Sequence, residues 1–535
     1  MTTRMTWLAC LLLLCGPAVA QPQSSSAANI RADMAFLASD RLKGREAGTP
    51  EYDMAAKYVA DQMKQIGLAP KGDLQDKKGG GYFQHVPLLA YRTKDQGVVS
   101  LHDKSGHATK LAFGSDYLVH GSPLAADLTV DAPLVFVGFG VVAPEHGRDD
   151  YRGLDVKGKI VVALSGAPKS FQSEERAYYT SGRVKLAAAL AHGAVGFVSV
   201  DTLTGEKLYP FANAVRQYQS WGMTWRKPDG KPFVPVPLPG LASISVAGAQ
   251  KLLGADTARI LAAAETRDGP VRGFALPLSL RAALHSEIKT AESENIVGLL
   301  PGADGRLKNE YVVLSGHLDH IGITPPVKGD SINNGALDNA SGVATTLEVA
   351  RLLAGRPPKR SVLFLIDTAE EKGLIGAEYF AHNPTVPLAA IVADVDLDMP
   401  ILTYDFTDVT AYGADRSSIG PSVRRAAGRM NIKLSPDPEP DEGIFTRSDH
   451  YRFVEQGVPA VFLATGYANG GEAATKFFMK TNYHKPSDDL SQAIRYDVGA
   501  KFARLNTEIT RELADGARPS WNAGDFFARK FAKQK

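Results

Sequence analysis

Residues 311–322, YVVLSGHLDHIG, lead through 333–353, NNGALDNASGVATTLEVARLL, to 361–371, SVLFLIDTAEE. The first and last runs are short and apolar at 311–315 and 361–367, as strands are, and 340–353 between them reads as a helix. Further strands are expected at 389–397 and 460–464. Strand alternating with helix implies an α/β sandwich.

Working outward, 535 residues exceed one ordinary core, so two or more packed units are expected. The segment 50–66 reads as an amphipathic helix with Met54, Tyr58, Val59, Met63 and Ile66 on one stripe. Thr49 suits its cap, Pro50 its first turn and Gly67 its end. From 122 to 284 the chain turns β-rich. Strands are expected at 132–142, 159–164 and 195–200, a helix at 185–192, and a loop across the Pro-, Gly- and aromatic-rich 209–239. This block reads as a domain inserted into a discontinuous one made of 21–121 and 285–515. The last twenty residues, 516–535, read as a C-terminal tail, in which Phe526 to Lys535 is basic and aromatic and is expected to be solvated.

The 60 basic and 58 acidic side chains leave a net charge of +2, without the positive field that nucleic-acid binding requires. At the N-terminus Arg4 precedes an apolar run at 7–14, followed by small residues ending in Ala18-Val19-Ala20. That is the pattern of a secretory signal peptide, residues 1–20, and implies export to the periplasm or the extracellular space. A lipoprotein signal at Cys15 fits less well, because bulky Leu14 precedes it. No other apolar stretch is long enough to span a bilayer. Cys10 and Cys15 both lie in the leader, so a metal site in the exported chain must use imidazoles and carboxylates.

Five segments following strands carry such groups, where α/β sheets gather ligands. In HLD, His317 offers a ring nitrogen, and Asp319, on the same side of an extended chain, could receive its other N–H. Asp338 stands in a glycine-bounded turn before the helix. It suits a helix cap, but equally a carboxylate bridging two cations. Glu370 and Glu371 end an apolar strand, where adjacent buried carboxylates require a compensating charge. One could ligate while the other stays free as a base. Asp394, Asp396 and Asp398 alternate along a strand, on one face. His484 lies in a turn-rich loop. Histidines and carboxylates without thiolate suit zinc or a similar divalent ion.

From LASDRLKGREAGTPEYDMAAKYVADQMKQIGL (37–68) to YHKPSDDL (483–490) the chain resembles the co-catalytic di-zinc aminopeptidases. That family includes bacterial leucyl aminopeptidases, vacuolar aminopeptidase Y and glutamate carboxypeptidase II. The resemblance implies a three-layer α/β sandwich, a central mixed β-sheet flanked by helices, with an inserted β-rich protease-associated domain. It implies two zinc ions, with His317, Asp338, Glu371, Asp398 and His484 as ligands and Asp338 as the bridge. It further implies Glu370 as general base and Asp319 as partner of His317. The division of the other ligands between the ions stays open.

The expected activity is metal-assisted hydrolysis of peptides by a secreted exopeptidase, aminopeptidase first and carboxypeptidase as the alternative. A glutaminyl cyclase-like acyltransferase shares the fold but is usually smaller and lacks the insert. A non-catalytic receptor-like module would have lost ligands or base, and all are present. Asp396, where relatives often have Asn, is a candidate for free-amine recognition. Tyr483 suits either an oxyanion contact or packing. Ser448-Asp449-His450 has no assigned role. The insert offers contacts to substrates or partners.

Overall fold

Tyr311–His317 and Ser361–Asp367 lie side by side as parallel strands, in register from Tyr311 opposite Ser361 to His317 opposite Asp367. The helix joining them, Ser341–Ala354, is the crossover that a parallel pair needs. The computed structural model describes residues 25–73 and 80–532. The expected leader, 1–20, lies outside the described residues.

The sheet around this pair contains β1 (Phe83–Thr93), β2 (Phe274–Leu300), β3 (Tyr311–His317), β4 (Ser361–Asp367), β5 (Ile391–Asp396), β6 (Asp408–Tyr412) and β7 (Ala460–Thr465). Their order across the sheet is β1-β2-β4-β3-β5-β7-β6. β4, β3, β5 and β7 are mutually parallel, and β1, β2 and β6 run antiparallel to their neighbours. The sheet is mixed, as expected.

Strand alternation assigns each apolar residue to a layer. Val312 and Leu314 of β3, with Val362, Phe364 and Ile366 of β4, share one core with α1 (Ser26–Leu37), α2 (Pro50–Ile66), α3 (Ser341–Ala354) and the C-terminal helix Tyr496–Asp515. Val313, Leu363 and Leu365 face the opposite layer, with Phe380, Phe453 and Val454. Both faces are covered, which is why these strands read as unbroken apolar runs. Thr49 caps α2 by accepting from the Tyr52 N–H, and Gly67 closes it at φ 91°. Its buried face is centred on Ala55, Ala56, Val59 and Met63. Met54, Tyr58 and Ile66, expected on that stripe, lie at its margin.

A second sheet gathers Val98–Asp103, Asp127–Phe136, Ile160–Leu164, Gly196–Val200 and Gly240–Ile244 on the N-terminal part of β2. It starts upstream of the expected boundary at 122. Val98–Asp103 buries only alternate residues, Val99 and Leu101, so it shows no apolar run. β2 serves both sheets without a break, and its partner changes between His285, opposite Asp127, and Ser286, opposite Thr93. Within the expected loop 209–239, Phe211–Arg216 is helical and Gly222–Trp225 pairs with β1.

The expectation of a solvated C-terminal tail is overturned. Phe526–Phe531 is a helix capped by Asp525, and Phe526 and Phe527 are buried against Tyr178 of the insert and Phe445 and Tyr451 of the first domain. Burying each ring contributes about 1.5–3 kcal/mol, enough to dock a short helix despite Arg529 and Lys530. Among the described residues no helix is long and apolar enough to cross a membrane.

Candidate metal centre

The parallel strands β3, β4 and β5 deliver their C-terminal ends to one place. His317 is the last residue of β3, Glu370 and Glu371 follow β4 closely, and Asp398 lies just past β5. The turn 335–340 and the loop bearing His484 close over them. His317 Nε2 is 3.1 Å from Asp398 Oδ1 and 3.4 Å from Asp338 Oδ1. His484 Nε2 is 3.3 Å from Asp338 Oδ2 and 3.2 Å from Glu371 Oε2. All five residues expected as ligands therefore converge, in two groups that share Asp338 through its separate oxygens.

These separations test whether a cation fits. Donor atoms on one tetrahedral zinc, each about 2.0–2.1 Å from it, lie about 3.3 Å apart. The four distances above centre on that value. The set is imidazole and carboxylate in a buried pocket, so the residues suit zinc.

Burial pushes the Asp338 carboxyl up, but the imidazoles of His320, His317 and His484 outweigh it and hold the group well below the usual carboxylate range. Glu371 is likewise held low: burial raises it, and His484 and His320 more than reverse that. Glu370 goes the other way. Its own burial lifts it well above the ordinary value, and neighbouring Glu371, Asp449 and Asp398 add to the rise against His317. Adjacent residues are thus driven apart, the pattern that separates a ligand from a base.

Residues 295–510 match the model of peptidase family M28. That segment is similar to the M28 peptidases. Over 217 residues the chain is 28% identical to a probable leucine aminopeptidase 2 of Aspergillus oryzae, covering 37% of this chain and 40% of that protein. Over 245 residues it is 26% identical to aminopeptidase Y of Saccharomyces cerevisiae, covering 44% of this chain and 42% of the yeast protein. The matches thus span less than half the length of these relatives. Among solved structures, an aminopeptidase from Aneurinibacillus sp. strain AM-1 superposes with a TM-score of 0.52 at 20% identity, over 94% of this chain and 97% of that one, a likeness of fold.

Within the M28 segment several contacts differ from expectation. Asp319 does not receive the His317 N–H through its side chain. The carboxylate is 4.0 Å from Nδ1, beyond a hydrogen bond, and the nearer acceptor is its own main-chain carbonyl at 3.1 Å. Its carboxylate instead accepts the N–H groups of Glu370 at 3.0 Å and Glu371 at 3.4 Å. The helix is capped by Asn339, whose Oδ1 accepts from the Gly342 N–H, which frees the Asp338 carboxylate from that task. Asp396 is fully buried and accepts from the Ser448 hydroxyl at 2.5 Å. Tyr483 stacks on His484 with ring centroids 3.8 Å apart and packs against the first core, a supporting contact.

Sequence reasoning missed Arg45, His320 and Asp488. Arg45 is fully buried, and its guanidinium donates to the carbonyls of Leu37, Leu318, Asn334, Gly335 and Asp338. It ties the M28 segment's bridging turn to the N-terminal part of the chain. Asp488 accepts the N–H groups of Leu337 and Asp338, each at 3.0 Å. The signal for it was the acidic pair following His484. For Arg45 none exists, because main-chain acceptors leave no trace in residue type.

Proposed function

We propose that this chain is an exported, zinc-dependent exopeptidase of the aminopeptidase type, hydrolysing peptide bonds with Glu370 as general base. The observation that carries the reading is the pair of three-donor groups joined through the two oxygens of Asp338, spaced as tetrahedral ligands are. His317 and Asp398 would hold one ion, His484 and Glu371 the other, with Asp338 common to both. When bound, two such ions supply positive charge that acidifies water and polarises a carbonyl.

The chain's own residues do the rest. Asp319 anchors the main chain of Glu370 and Glu371, so the base and its ligand neighbour are set by one carboxylate. Glu370 takes a proton from the attacking water as the new C–O bond forms, and returns it to the amine as the C–N bond breaks. Burial raises its carboxyl above the ordinary value, the direction that makes a carboxylate a stronger base. Export is supported by the signal pattern of residues 1–20, and peptide substrates by the names of the M28 relatives.

The test uses purified, zinc-loaded enzyme on Leu-Ala-Ala, its N-acetylated form and its C-terminal amide. An aminopeptidase releases free leucine from the first and third and spares the second. Release of alanine from the acetylated peptide, with the amide spared, reverses the assignment to a carboxypeptidase. On a fourth peptide, Gln-Ala-Ala, conversion of the N-terminal glutamine to pyroglutamate without any amino acid released points to acyl transfer.

A further inference from the structure

His320 stands three residues beyond His317, and no ligand or base assignment uses it. Its ring is fully buried, with Nδ1 2.6 Å from Glu371 Oε1 and 3.9 Å from Asp338 Oδ2. Its Nε2 has no hydrogen-bond partner. His320, Asp338 and Glu371 are close enough to hold an ion by themselves, so two roles compete for this imidazole: ligand, or hydrogen-bond donor to a ligand.

The lengths decide between them. Two donors on one tetrahedral zinc sit about 3.3 Å apart, the separation His484 keeps from both Asp338 and Glu371. A distance of 2.6 Å is too short for two ligands of one ion and close to that of a charge-assisted N–H···O bond. An ionised carboxylate can only accept, so Nδ1 carries the proton. The backbone makes room for this ring: Gly335 has φ 59°, and a Cβ there would come within 2.7 Å of two His320 ring atoms.

We propose that His320 is a positioning residue for the second ion. It occupies Oε1 of Glu371 and so turns Oε2 alone toward His484. Donors to ligating carboxylates typically change metal affinity 10–100-fold when removed. The inference rests on the two-zinc reading above.

Zinc competition against a chromophoric chelator tests it in the full chain, with a thermal melt of the metal-free protein as the fold control. Asn at 320 puts an amide N–H near the place of Nδ1, whereas Gln puts it near Nε2. H320N is expected to hold both zinc equivalents within a few-fold of wild type. H320Q is expected to hold one normally and the other about 10–100-fold more weakly. Equal losses in the two variants would show His320 to be a ligand and overturn the proposal, as would wild-type affinity in H320Q. If H320Q fails to fold, H320A serves in its place, with the same selective loss expected and unchanged affinity as the contrary result. Wild-type protein that binds no zinc would instead defeat the functional proposal.

Discussion

Where β3, β4 and β5 end, Asp319, Asp338, Asp394, Asp396 and Asp449 are all buried beside His317, His320 and His450. Across residues 98–284, among the described residues, the buried charged groups are Lys185 and Asp116. Those two are answered locally. Lys185 Nζ donates to the carbonyls of Leu164 and Gly166, each at 2.6 Å, and Asp116 pairs with Lys251 at 2.5 Å. The carboxylates of the first domain crowd one another, and the groups that oppose them are mainly imidazoles. Buried charge that a protein satisfies internally is structure, whereas a surplus of one sign gathered at strand ends calls for a cation. The difference separates a scaffold from a site more sharply than burial alone.

The largest effect expected is on the charged side of this comparison. Glu370→Gln keeps shape and removes the base, so kcat should fall by about 10²–10⁴ while zinc content, read by elemental analysis, stays at the wild-type level. Unimpaired turnover would remove Glu370 from the reaction. Asp338→Asn tests the shared bridge. Zinc should be lost from both positions, whereas His484→Ala should lose one equivalent and keep the other. Equal zinc content in the two variants would mean that the groups do not share Asp338.

The apolar side responds in stability. Phe527→Ala empties a fully buried site between the insert and the first domain, and should cost about 3–5 kcal/mol, seen as a lower urea midpoint. A change under about 0.5 kcal/mol, the scale of an ordinary surface substitution, would return the C-terminal helix to the status of a loose tail.

The smallest effect concerns Lys185. Burial pushes its ammonium down to about 7 from an ordinary 10.5. The unfolded chain then binds that proton more tightly, so this group's contribution to stability rises as pH climbs from 7 to 10.5 and is lost on the way back down. Lys185→Met should flatten the stability profile in that window, measured by urea unfolding at pH 7 and pH 9. An unchanged slope would mean that Lys185 titrates normally and that the insert hides no buried charge cost.

Much of the fold was legible because its central strands are apolar on both faces and bounded by turn residues. Ser361–Asp367 begins and ends where the sequence pattern does, and α2 is marked by Thr49, Pro50 and Gly67. Residues 98–284 were less legible, because Val98–Asp103 and Gly222–Trp225 are short pieces whose pairing is set by β2 and β1. The tail was misread because exposed Arg529 and Lys530 share one short helix with buried Phe526 and Phe527, and only the packing partners decide that burial.

By itself the sequence determined which side chains have the chemistry of a metal centre and on which strand ends they stand, since residue type and periodicity are local properties. Only the tertiary structure decided that they fall into two groups sharing Asp338, that Asn339 rather than Asp338 caps the helix, and that Arg45 and Asp488 bond the main chain around Asp338 while His320 meets the Glu371 carboxylate. Those choices depend on distances of a few ångströms between segments far apart along the chain. Hydrogen bonds to main-chain groups, which every residue carries, leave no mark in the order of the amino acids.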